Sequence, residues 1–140
     1  MSPFSRSLHN LRTSRNIRLA DLAVMVGYDQ TYISALEVGL KGPPTQEFVD
    51  RLAAALELSP EDEADLYAAA DASQRKLVID SDVPHEVYVL LNRLRTSLPD
   101  LTPTQVRVIT EVLNLKPVNE DTWEPTGHSS ARRRKREVQM

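Results

Sequence analysis

Apolar side chains recur along this chain at three- and four-residue intervals, the period at which a helix turns one face toward a core, and not in the alternation of a half-buried strand. Phe4, Leu8 and Leu11 fall at i, i+4 and i+7, and Leu19, Leu22, Ala23 and Val26 repeat that face, so two short amphipathic helices are predicted before residue 27. Gly27 stands where a left-handed residue would end the second helix. Asp29 can accept hydrogen bonds from the first amides of a third helix that runs through Ile33 to Glu37. Thr45 is placed to cap a fourth helix with the buried stripe Phe48, Leu52 and Leu56. Ser59-Pro60-Glu61-Asp62 opens a fifth with an N-cap, a proline in the first turn and acids near the positive end of the dipole. That helix carries Leu66 and Ala69 or Ala70 inward.

The pattern then turns polar through Asp71-Ala72-Ser73-Gln74-Arg75-Lys76, which marks a boundary between two modules. Beyond Pro84, Val87, Leu90, Leu91, Leu94 and Leu98 give one helix a broad apolar face. Thr102-Pro103-Thr104-Gln105 matches a capping box with proline at the first helical position, and Val106, Ile109, Val112 and Leu113 form the face of a last helix. A helical hairpin is expected. Two such helices cannot enclose their own apolar faces, so something must cover them. From Lys116 on the chain is polar apart from Trp123, and 116–140 reads as a disordered tail. The expected organisation is all-α: a five-helix domain over 4–72, a helical dimerisation region over 83–115 and the tail.

Composition narrows the function classes. The charged share of 26% and aromatic share of 5% fit a soluble aliphatic helical chain, and the absence of cysteine removes disulfides, thiolate metal sites and cysteine nucleophiles. No apolar run reaches the roughly 18 residues of a membrane span, and the start of the chain lacks the apolar core of a secretory signal, so a cytoplasmic protein without a membrane partner is expected. His9, His85 and His128 have no ligand spacing and no glycine loop cradles a phosphate, so neither an enzyme, a metal nor a cofactor is expected. The net charge of −3 argues against coating nucleic acid by bulk basicity. It hides an asymmetry, because the acids concentrate between 61 and 100 while Arg132-Arg133-Arg134-Lys135-Arg136 makes the tail basic. That run is either a DNA-flanking contact or a solvated charge cluster.

The segment from Leu19 to Leu36 has the spacing of a helix-turn-helix: Ala23 small enough for a close helix crossing, Gly27 at the turn, Ile33 and Leu36 packing down on Leu22 and Val26. With Leu11-Arg12, Ser34, Glu37, Gly39, Phe48, Leu52-Ala53 and Leu56 at their offsets, residues 4 to 70 resemble the helix-turn-helix domain of phage repressors and Cro proteins, the XRE-type family of bacterial regulators. That resemblance implies a repressor-like five-helix domain that lays its third helix in the major groove. It also implies an internal ion pair between Arg12 and Glu37.

The same resemblance points to Gln30, Thr31 and Ser34 as the side chains that reach base edges, with glutamine suited to adenine and the threonine methyl to thymine. Arg18 and Lys41 are the expected backbone contacts. Tyr32 either joins them or covers the outer flank of the motif. Two departures matter: Arg18-Leu19 replaces the small polar cap and glutamine with which the family commonly opens its second helix, and the third helix has no arginine or lysine to read guanine. The implied partners are double-stranded DNA and a second copy of the chain, paired through Val87, Leu90, Leu91, Leu94, Leu98, Ile109, Val112 and Leu113. The expected function is a homodimeric repressor binding a pseudo-palindromic operator. The rival expectations are the antitoxin of a toxin pair and a protein-interaction module with the same fold.

Overall fold

The computed structural model describes residues 1–118 and 121–123, and these are all-helical. Of the tail expected at 116–140, residues 116–118 and 121–123 are described and carry no helix or strand, while the rest, with the basic run at 132–136, lies outside the described residues. In chain order the helices are α1 (Pro3–Ser14), α2 (Leu19–Val26), α3 (Gln30–Val38), α4 (Gln46–Ala55), α5 (Pro60–Asp71), α6 (His85–Ser97) and α7 (Pro103–Leu113), with one 3-10 turn over Leu98–Asp100. The chain divides into two compact units, residues 1–77 and the described residues from 78 on.

In the first unit each helix boundary has a local cause. Ser2, Asp29, Thr45 and Ser59 cap α1, α3, α4 and α5 by accepting a backbone N–H of the first turn, and proline opens α1 and α5. Gly27 ends α2 at φ 71° and Gly39 ends α3 at φ 86°, left-handed conformations that cost a side-chain-bearing residue about 1 kcal/mol or more. Phe4, Leu8, Leu22, Ile33, Leu36, Phe48, Leu52 and Leu66 are essentially inaccessible and form one core. Around it α1 packs on α3 and α5, α2 on α3 and α4, and α4 on α5. The buried polar groups are satisfied. Ser5 Oγ donates to the Leu36 carbonyl at 2.7 Å, and Ser73 Oγ accepts from Phe4 N at 2.9 Å while donating to the Ala69 carbonyl at 2.6 Å. The Ser73 contacts close the end of α5 onto the start of α1, so the whole bundle holds α3 in place.

The second unit is built differently. Thr102 and Gln105 form a reciprocal capping box at the start of α7, with Thr102 Oγ1 accepting from Gln105 N at 3.2 Å and Gln105 Oε1 accepting from Thr102 N at 2.9 Å. Neither α6 nor α7 buries a single side chain. α6 runs into the 3-10 turn, and Leu90 and Leu98 on α6 and Val106, Val112 and Leu113 on α7 remain exposed among the described residues.

Candidate nucleic-acid interface

The placement of α3 follows from its two faces. Ile33, Leu36 and Glu37 point into the bundle, while Gln30 and Thr31 are exposed and Ser34 is half-buried on the outer side. The end that leads outward is set by Asp29, whose carboxylate accepts from Thr31 N at 2.7 Å and is held below its ordinary pKa chiefly by that backbone hydrogen bond. Gln30, Thr31 and Ser34 therefore share one accessible surface on the first two turns of a rigidly held helix. Arg18 stands exposed at the N-cap of α2 and makes no capping hydrogen bond. Lys41 lies exposed beyond α3, its Nζ 5.6 Å from the centre of the Tyr32 ring.

Tyr32 faces the bundle more than the groove side. Its ring stacks on Tyr28 at 5.5 Å and meets Phe48 edge-on at 5.5 Å, and burial raises its hydroxyl pKa. The guanidinium of Arg51 lies over Tyr28 at 5.3 Å from the ring centre and also donates to Glu47 at 2.8 Å. An aromatic layer with two cations on its rings thus fixes the turn between α2 and α3 against α4. The sequence reading missed Tyr28 and Arg51, although Tyr28 and Tyr32 sit at i, i+4.

Behind α3, Glu37 is 5% exposed and anchored to α1. Arg12 donates to it twice, Nε to Oε2 at 2.9 Å and Nη2 to Oε1 at 2.7 Å, and donates a third bond from Nη1 to the Ile17 carbonyl at 2.9 Å. His9 Nδ1 lies 2.6 Å from Oε1 of the same carboxylate. Burial works to raise the Glu37 pKa, but the hydrogen bonds from Arg12 and His9 and their charges hold it below the ordinary value. The sequence reading set His9 aside as a non-ligand; its spacing of one turn from Arg12 was the available signal.

The residues expected at a dimer contact are brought to the surface of the second unit unevenly. Leu90, Leu98, Val112 and Leu113 are each more than half exposed, Ile109 is 39% exposed, and Val87, Leu91 and Leu94 are half-buried. Among the described residues no helix is long and apolar enough to cross a membrane.

Comparison with known proteins places the first unit. A helix-turn-helix family model matches residues 8–62. An uncharacterized HTH-type transcriptional regulator, RghRB of Bacillus subtilis (strain 168), is 39% identical over 70 residues, which cover 50% of this chain and 48% of the relative. The chain thus spans about half the length of that curated relative. A solved structure titled SinR protein/SinI protein complex aligns with 79% of this chain and 94% of its own at 19% identity, with a TM-score of 0.41. Ala23 under the helix crossing, Gly27 at the left-handed turn, the closed core and the family match agree: over residues 8–62 this chain is similar to the helix-turn-helix family.

Proposed function

We propose that the chain is a DNA-binding transcriptional regulator, a repressor that binds a pseudo-palindromic operator as a homodimer. The observation that carries the DNA reading is the outer face of α3: Gln30 and Thr31 are exposed on a helix whose opposite face is locked into the bundle, the arrangement a helix needs to enter a major groove. In this reading Gln30, Thr31 and Ser34 read bases, while Arg18 and Lys41 contact phosphates on either side and fix the register. Tyr32 contributes through its ring, which supports Lys41, more than through its hydroxyl.

Homodimerisation is supported by the open faces of α6 and α7. Fully burying an aliphatic side chain contributes about 1.5–3 kcal/mol, and Leu90, Leu98, Val112 and Leu113 each leave most of their surface uncovered. An isologous pairing of that face would set two α3 helices against one duplex. Selection of bound sequences from a random DNA pool by the full chain tests both parts. The expected product is a consensus of two inverted half-sites about one helical turn, roughly 34 Å, or a multiple apart. A single asymmetric half-site bound at 1:1 stoichiometry would refute the dimer. Failure to enrich any sequence would refute specific DNA reading.

A further inference from the structure

The C-terminal end of α3 is held from outside the helix. Its last turn contains no basic residue, so the helix brings no cation of its own to the negative end of its dipole. Two side chains from other segments meet that end instead. Ser5 Oγ on α1 donates to the Leu36 carbonyl, and Arg75, past the end of α5, donates from Nη2 to the carbonyl of Gly39, the C-cap of α3. The Arg75 bond spans 36 positions of sequence and sets a guanidinium against the carbonyl end of the helix proposed to read DNA.

Arg75 also stands where the first unit gives way to the second. Residues 72–84 form no helix. At the near side Ser73 is fixed to α1 and α5 and Arg75 to α3. At the far side the Asp80 carbonyl accepts from the Tyr88 hydroxyl of α6 at 3.2 Å and from Val83 N at 3.4 Å. Residues 76–79 are all that lies between the Arg75 and Asp80 anchors, and Leu77 and Val78 there are 73% and 87% exposed. Without the Arg75 bond the interval begins at Ser73, and Gln74 and Arg75 join it. An extended residue spans about 3.3–3.6 Å, so losing the bond adds about 7 Å of reach in each protomer. Bases rise about 3.4 Å per step, so that reach equals about two steps of duplex.

Resting on the dimeric DNA reading above, we infer that Arg75 is a positioning residue: it fixes where the chain leaves the helix-turn-helix unit and so restricts the half-site spacing that the dimer accepts. Two binding units joined by a short tether act together only on sites within its span, whereas a longer tether accepts more separations at a lower effective concentration. Arg75 shortens the tether without shortening the chain. Because its bond is made to the end of α3, the origin of the tether is set relative to the helix that enters the groove.

The experiment titrates the full chain on operators that carry the selected half-sites at the preferred spacing and with base pairs inserted between them. The parent is expected to lose affinity about tenfold when about two base pairs are inserted, and Arg75→Ala less than about threefold. Arg75→Lys, which keeps a cation able to donate to the Gly39 carbonyl, should restore most of the discrimination. Affinity for an isolated half-site, sedimentation and thermal unfolding should be the same in all three chains, which separates a tether from a general loss of structure. The inference is overturned if Arg75→Ala discriminates spacing as sharply as the parent, or if Arg75→Lys tolerates insertions as freely as Arg75→Ala. Weaker binding of Arg75→Ala to the isolated half-site also overturns it, since the bond would then hold α3 and not the tether. A parent that binds one half-site at 1:1 stoichiometry, or no preferred site, refutes the proposed function itself and this inference with it.

Discussion

Removing the Arg12 side chain isolates what holds α3 in position. Glu37 is 5% exposed and takes two hydrogen bonds from Arg12, so Arg12→Ala leaves a carboxylate inside the bundle with only His9 beside it. Breaking a buried pair from one side costs about 3–5 kcal/mol, and the remaining His9 contact sets the expectation at the lower end. The first unit has 77 residues, for which total stability is on the order of 4–12 kcal/mol, so the loss is a large share of what the fold has. The melting temperature should fall by more than about 10 °C. The converse change is milder: Glu37→Gln preserves volume, and Arg12 is 17% exposed and keeps its bond to the Ile17 carbonyl, so about 1.5–3 kcal/mol is expected. Unfolding followed by circular dichroism should show the double variant losing less than the sum of the single ones.

Acid adds an independent check. In the parent protein the Glu37 carboxyl sits below its ordinary 4.5, so its contribution is complete above that value and is lost as pH falls through the depressed folded-state value. In Arg12→Ala, burial, the largest influence on this carboxyl, pushes it upward against the His9 contact alone. A raised acid destabilises the fold above its unfolded value and is relieved on protonation, so the variant recovers ground as pH falls. The gap between parent and variant should therefore begin to narrow above pH 4.5, as the variant's carboxyl takes its proton, and go on narrowing below 4.5 as the parent's does. Strict additivity in the cycle, or a gap that keeps its full size in acid, would show that the pair does not act as described.

Three further outcomes test the interface. Gln30→Ala should weaken the selected site by about 1–3 kcal/mol and relax preference at one position per half-site, with non-specific affinity unchanged; equal weakening on all sequences in competition titrations would make it a backbone contact. Lys41→Gln and Arg18→Gln should each lower affinity for cognate and random DNA alike and reduce the salt slope by about 1, read from titrations at several ionic strengths. Leu91→Asp with Leu94→Asp should give a sedimenting monomer whose helix-turn-helix unit still unfolds cooperatively, whereas an unchanged dimer would place the pairing elsewhere.

What the sequence made legible is what steric and capping rules decide within a few residues. Gly27 ends α2 because only a left-handed residue fits there, and Thr102-Pro103-Thr104-Gln105 opens α7 because its two side chains satisfy each other's backbone groups. The same rule applied to Ser2-Pro3 would have started α1 one residue before Phe4, as it does in the structure. Contacts set by the tertiary fold were less accessible. His9 meets Glu37 from 28 positions away, and Arg51 reaches from α4 to the Tyr28 ring in the turn between α2 and α3, so the local spacings of His9 with Arg12 and Tyr28 with Tyr32 do not name the distant partner.

The limit is sharpest in the second unit, and the reason is physical. A hydrophobic period records that a helix face leaves water, not which surface receives it. In the first unit the receiver is the same chain, so the stripes of α1 to α5 meet each other and Phe4, Leu22, Ile33 and Leu52 become inaccessible together. In the second unit the stripes are as clear, Leu90 to Leu98 on α6 and Val106 to Leu113 on α7, yet neither helix buries a side chain. Equal periodicity with unequal burial among the described residues is what the proposed homodimer would show, with one core completed within a protomer and the other by a second copy. Under the proposed homodimer, Leu91 and Leu94, at the middle of α6, are where a charge should be least tolerated by a partner and best tolerated by the helix-turn-helix unit.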